Sequence, residues 1–481
     1  MPVDRRAVPR WAQALDAMAL LSLAGALFVA VAGRVLLLRY GSIVLPAPPA
    51  WLGLSALLLV VRHAALRQPG TFASVAAWRA RLDARPHLAA AVRAFAYTRP
   101  MVFVVAYFAV VTIGLPPQPV GFQVSSDPLT NLPARFDAGW YGNIAQHGYA
   151  WDQRLDRQRN IAFFPALPVL MRPVGSVIGA RLPTLSRDER MARMLWAGVI
   201  VSLGALLWAL VYLARLADLL AGARAAQLAP MLLASYPFAV FFNAPYSESL
   251  FLLGAVGAFY HFHRGQWWRA AAWGLLAGFS RPNGCLLSVP LAILAVQQVW
   301  QSAGASAGVR GGADRLRLLA SRLLVAATPG LAMLVFTVYL RQLTGVWFVW
   351  TQIHGAWGRA WGTRPLEQGW EWLTTEGLMA VAQGVPYDTL NTLPALLVLA
   401  LTWPIFRRLG AAYGAFVLLN LVPPILAGGA LSLGRITATI FPVFVVLSVL
   451  LPRRAVPGAV AAFALLQGLI AVLFFTWREM F

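Results

Sequence analysis

The 481-residue sequence has no lysine, one cysteine (Cys285) and only 12% charged residues, while 59% are hydrophobic and the mean hydropathy is +0.67. A lone cysteine excludes an internal disulfide and a cysteine-based metal centre. An ordinary soluble domain carries about 25% charged residues, so a water-soluble globular chain is excluded. Disorder is excluded too, because a chain this apolar cannot stay solvated. Without lysine, the basic side of the formal charge of +22 is carried by 39 arginines. They are scattered between apolar blocks and form no stripe with interleaved aromatics, which argues against a nucleic-acid partner. The sequence has no HExxH, paired-cysteine or DxD element, its six histidines are dispersed, and its glycine runs do not fit a nucleotide-binding turn. No cofactor, no obligatory metal and no soluble nucleotide substrate is therefore expected.

What remains is a series of apolar blocks close to the roughly 20 residues that span a hydrocarbon core. They predict an all-α, polytopic transmembrane helical bundle of about thirteen spans, with eleven to fourteen as the range. The first block, residues 17–38, exceeds a signal-peptide core and is expected to be retained. The apolar stretch 161–178 is interrupted by Pro165, Pro168 and Pro173 and reads as an interfacial or re-entrant helix pair. With the amino terminus cytoplasmic, the short arginine-rich connections fall on the inner side. Two large segments then face outward, 117–193 and 343–390, and hold 10 of the 17 acidic residues. The expected divisions are amino-terminal spans with a basic cytoplasmic loop (1–99), a catalytic transmembrane module (100–300), a cytoplasmic linker (301–321) and a carboxy-terminal bundle (322–481). The lack of a visible internal repeat argues against a secondary transporter.

Chemistry-bearing residues concentrate in a few clusters. RFDAGWYGNIAQHGY, Arg135 to Tyr149, sets Asp137 among aromatic faces suited to stacking on a sugar, and Asp137 is the candidate base. The competing reading is an interfacial aromatic belt in which Asp137 pairs with Arg135. In YPFAVFFNAPYSESLFL, Glu248 follows Tyr246 and Ser247 and either takes part in a site or favours a helix start, with Ser247 as its cap. In GFSRPNGC, Arg281 and Asn283 interrupt an apolar run, so Arg281 either meets a phosphate or snorkels to headgroups. TGVWFVWTQIHGAWGR brings Gln352, His354, Trp357 and Arg359 into one interfacial segment, and LSLGRITATIFPVF places Arg435 at the outer end of a span. Surface anchoring is the alternative for both.

Taken in order, these clusters resemble the PIG-V-type mannosyltransferases, members of the GT-C superfamily of polytopic glycosyltransferases. The family pattern R-W-D-A-x-W-Y-x-x-I-A-x-x-G-Y is similar to Arg135–Tyr149, F-F-P-x-x-P to Phe163–Pro168, A-Y-S-E-S-x-F to Ala244–Phe251 with Pro245 inserted, and the arginine with its Asn-Gly turn to Arg281–Gly284. The resemblance covers about residues 100–445. Phe136 stands where the family has Trp, and the later G-D-P element reads Gly345, Val346, Trp347, without its acid. The resemblance implies a GT-C-like fold and inverting transfer of a hexose, mannose first, from a polyprenyl-phosphate sugar to a glycolipid, lipid-linked glycan or protein acceptor. Asp137 is then the catalytic base; Arg281, His354 and Arg435 meet the donor phosphate; Arg135, Trp140, Tyr141, His147, Tyr149, Tyr246, Glu248, Asn283, Gln352 and Trp357 surround sugar and acceptor. The expected location is a bacterial inner membrane with the site on its periplasmic side, and membrane lipids are the other partners. A flippase or transporter of an anionic lipid, and a non-catalytic scaffold subunit, are the rival readings.

Overall fold

The computed structural model describes residues 8–32, 35–38, 41–44, 46–66, 70–117, 120–305, 312–359, 386–478 and 480. It is a helical bundle, with one short antiparallel hairpin, Val35–Leu38 against Gly41–Val44. The hairpin takes the end of the apolar block 17–38, so that helix α1 stops at Ala32. The elements that follow are α2 (Pro48–Ala65), α3 (Thr71–Asp83), α4 (Pro86–Thr112), α5 (Ala138–His147), α6 (Ala166–Val177), α7 (Arg187–Ala221), α8 (Ala223–Ser235), α9 (Glu248–His263) and α10 (Trp267–Ser280). The second half holds α11 (Ser288–Ala305), α12 (Gly312–Ala326), α13 (Thr328–Thr344), α14 (Val349–Gln352), α15 (Pro386–Leu409), α16 (Ala411–Gly428), α17 (Leu433–Thr437), α18 (Pro442–Leu450) and α19 (Val456–Phe475). α4 runs unbroken through residue 100, across the expected first division. α12 begins inside the expected linker, whose residues 306–311 lie outside the described residues, as do residues 360–385 of the second outer loop.

Seven helices are long and apolar enough to cross a membrane: α2, α4, α7, Pro282–Gln301, Leu390–Leu409, α16 and Arg453–Phe475. Two bent pairs, α8 with Pro237–Asn243 at 80° and α12 with α13 at 49°, bring the number to nine among the described residues. Other apolar blocks fold as shorter pieces: α9 has 16 residues, α10 has 14, and 435–452 divides between α17 and α18. Proline marks the breaks, with Pro237, Pro282, Pro329 and Pro442 each at or just after one, because proline removes a backbone donor and crowds the preceding turn. α6, at twelve residues, is too short to span, as its prolines imply.

The long α7 is the central post, packed against α4, α6, α8 and α9. It starts with a reciprocal capping box between Ser186 and Glu189 and ends at Gly222, whose φ of 81° suits a residue without a side chain. A broken helix in a bilayer must have its freed carbonyls satisfied by protein. Arg99, buried in α4, does this at the α8 break, donating to the carbonyls of Ala234 and Ala239 (the latter at 2.7 Å) and to Asn243 Oδ1 at 2.6 Å. Gln467 of α19 adds bonds to the carbonyls of Ala234 (3.0 Å) and Tyr236 (2.8 Å). Another buried pair, Arg62 with Asp16 at 3.1 Å, joins α1 to α2, and Ser74 donates to the same carboxylate.

Small residues let α10 approach its neighbours, as is usual for helices packing in lipid. A Cβ on Gly278 would strike the carbonyl of Pro329, and one on Gly254 would meet the backbone of Ala277, whereas one on Gly204 would meet nothing within 4 Å. Gly278→Val is therefore expected to destabilise the bundle by about 1–3 kcal/mol, the usual cost of overpacking. Gly204→Val should leave the detergent melting temperature near the parent's. Equal melting temperatures for Gly278→Val and the parent would show that α10 and α13 are not in tight contact.

Candidate active site

The site is assembled from the loop before α5, the start of α9, the break after α10, the segment around α14 and the short α17. Asp137 stands at the amino-terminal end of α5. The residue before it, Phe136, has φ of 43°, a conformation that costs a non-glycine residue on the order of 1–3 kcal/mol and persists only when its surroundings impose it. Here its ring is held by Trp477 and Phe474, with centroids at 4.4 and 5.6 Å. Arg135 is completely buried and does not pair with Asp137. It donates to the carbonyl of Phe475 at 2.7 Å, where the α19 dipole favours a cation, and to the carbonyls of Asn131 and Ala134. Tyr246 locks the turn: its hydroxyl donates to the carbonyl of Arg135 and accepts from the amide of Asp137, both at 3.1 Å.

Four charges form a chain through this region. Arg435 donates Nη1 to Asp137 Oδ2 at 2.6 Å and Nε to Glu248 Oε1, and Arg281 Nη1 reaches the same Glu248 oxygen at 3.2 Å. The guanidinium of Arg435 also lies over the Tyr246 ring, 4.6 Å from its centroid. Glu248 has no exposed surface, so its negative charge exists to hold the two arginines; Ser247 makes no capping bond and instead accepts from the Tyr141 hydroxyl at 3.0 Å. Burial, aided by the charge of Glu248, pushes that hydroxyl up to about 12. Asp137 Oδ1 has no hydrogen bond among the described residues, which leaves one carboxylate oxygen available.

That carboxylate opens on a cavity of about 700 Å³. Of the residues singled out in the sequence, Asp137, Tyr141, Arg281, Asn283, His354, Trp357 and Arg435 line it. Asn283 is anchored by Asn420 at 2.7 Å. His354 Nδ1 lies 2.6 Å from the carbonyl of Trp350, and burial lowers the ring below the ordinary histidine range. A neutral ring donating from Nδ1 presents Nε2 as an acceptor. Arg135, Tyr246 and Glu248 lie behind the wall, fully buried. Trp140 packs beside the cavity, stacked on Phe163 and edge-on to Trp357, and Tyr149 donates to the carbonyl of Phe163. His147 and Gln352 are exposed and away from the lining.

Arg359, which the sequence places in the interfacial segment with Gln352, His354 and Trp357 without giving it a role, also lines the cavity. Its only signal was its place at the end of the Trp-rich segment. Burial, then the neighbouring Arg435, bring its guanidinium down to about 10. Among the described residues no group of three or more His, Cys, Asp or Glu is arranged to hold a metal ion.

The model of the mannosyltransferase (PIG-V) family matches residues 116–346. No curated protein matches the sequence. Among solved structures, the oligosaccharyltransferase of Archaeoglobus fulgidus, crystallised with Zn and sulfate, is similar at a TM-score of 0.34 and 14% identity, over 79% of this chain and 53% of that one. The chain thus spans about half the length of that protein. Residues 116–346, which contain Asp137, Glu248 and Arg281, match the PIG-V mannosyltransferases, and this match together with the apolar helices supports a multi-pass membrane glycosyltransferase.

Proposed function

We propose that this chain transfers a hexose, mannose first, from a polyprenyl-phosphate donor to a hydroxyl of an extracytoplasmic acceptor, with inversion at the anomeric carbon. The observation that carries the reading is one available carboxylate oxygen, on Asp137, at the wall of a cavity that also holds three arginines. In this reading the acceptor oxygen attacks C1 of the sugar, the bond from C1 to the phosphate oxygen breaks, and the acceptor's proton passes to Asp137. The departing polyprenyl phosphate keeps the bonding electrons, and guanidinium charge stabilises it as it forms. Arg281, Arg435 and the His354 region supply the phosphate side, and the aromatic faces of Tyr141, Phe163 and Trp357 supply the sugar side. The acceptor is a glycolipid, a lipid-linked glycan or a protein. In this reading the cavity faces the outer side of a bacterial inner membrane, and the arginine distribution, which favours a cytoplasmic amino terminus, supports it.

Asp137→Asn keeps the shape of the side chain and removes the base, so transfer from polyprenyl-phosphate mannose by purified protein should fall by about 10²- to 10⁴-fold. Turnover at the parent rate would remove Asp137 from this role. Because guanidinium charge takes the place of a cation, the rate should be unchanged in excess EDTA. A loss in EDTA that a divalent ion restores would overturn the metal-independent mechanism.

A further inference from the structure

Among the described residues, the charges around the cavity do not cancel. Asp137 and Glu248 supply two carboxylates, and Arg281, Arg359 and Arg435 supply three guanidinium groups. Arg435 is engaged by both carboxylates and Arg281 by Glu248. Arg359 has no carboxylate partner among the described residues. Among the described residues its one side-chain hydrogen bond runs from Nη2 to the carbonyl of Leu431 at 3.3 Å, which engages one of its five N–H donors. The side chain lies along Gly428, where a Cβ would stand 3.4 Å from both its Cγ and its Nη1. A partly buried, unmatched cation facing a cavity is unfavourable until an anion joins it.

Building on the glycosyl transfer proposed above, we propose that Arg359 is a further residue that receives the donor's phosphate, beside Arg281 and Arg435, which are also engaged by the carboxylates. A phosphodiester carries one negative charge, which matches the single guanidinium in excess. The planar fork of arginine suits two phosphate oxygens at once. Arg359 is thus a donor-affinity residue, distinct from Asp137, which acts on the acceptor.

Cys285, the only cysteine of the chain, lines the same cavity and reports on its occupancy. Purified full-length protein is treated with N-ethylmaleimide across a range of polyprenyl phosphate concentrations, and retention of radiolabelled polyprenyl phosphate is measured alongside as a readout independent of thiol reactivity. Arg359→Gln is expected to raise the half-protecting concentration and the apparent Kd roughly 10- to 100-fold, the loss of a charge-assisted contact. Arg359→Lys, which keeps the charge and guards against a folding defect, should recover a large part of that loss. In turnover, the KM for donor should rise much more than kcat falls. Equal affinity in Arg359→Gln and parent, with the parent protected, overturns this assignment and leaves the glycosyltransferase reading standing. No binding to the parent in either measurement overturns the lipid-phosphate reading and this inference with it. Equal protection by inorganic phosphate or by phosphatidylglycerol at the same concentrations assigns Arg359 to free anion or headgroup and overturns the donor role.

Discussion

The bridge made by Arg435 between Asp137 and Glu248 is the contact on which the rest of the site depends. It joins residues 298 and 187 positions apart and so ties the loop before α5, the start of α9 and the short α17 into one wall. Buried charges are expensive to remove from water, and an ion pair repays that cost only when geometry and further bonds are favourable. Here Tyr246 supplies a π face under the guanidinium, and Arg281 supplies a second cation to the fully buried Glu248. Breaking a buried pair by deleting one partner typically costs about 3–5 kcal/mol. The bridge therefore fixes the direction of the Asp137 carboxylate.

That wall exists only because helices stop where they do. Arg99 and Gln467 satisfy the carbonyls exposed at the α8 break, and the chain can then turn through Asn243 to deliver Tyr246, Ser247 and Glu248 in succession. Two residues with positive φ, Phe136 beside Asp137 and Ser432 ahead of Arg435, show local strain flanking both ends of the bridge. Such strain is tolerated when surrounding packing over-determines it. Tight aromatic packing around Phe136 is a direct instance.

The helical class and the short clusters were legible because each rests on local signals: apolar run length, proline position, and polar residues interrupting apolar stretches. Asp137, Arg281, His354 and Arg435 stood out for that reason, and all four line one cavity. Their partners were not legible. Arg135 reads as the natural mate of Asp137 two positions away, yet it turns to Phe475, far along the chain. Glu248 reads either as a site residue or as one favouring a helix start, and neither reading names the two arginines its carboxylate faces. Local spacing carries no information about such distant encounters, and this is also why Arg359, grouped with Gln352, His354 and Trp357, was given no role of its own. The block pattern likewise marks where apolar chain lies without saying which pieces bend, as α8 and α12 do.

The bond from Arg135 to Phe475 has a consequence for biogenesis. The Asp137 loop is synthesised long before α19, and until that helix is in place the loop lacks this anchor. A chain that lacks α19 consequently holds the Asp137 segment without this means of orienting it. The orientation of the Asp137 turn therefore depends on a helix made near the end of synthesis.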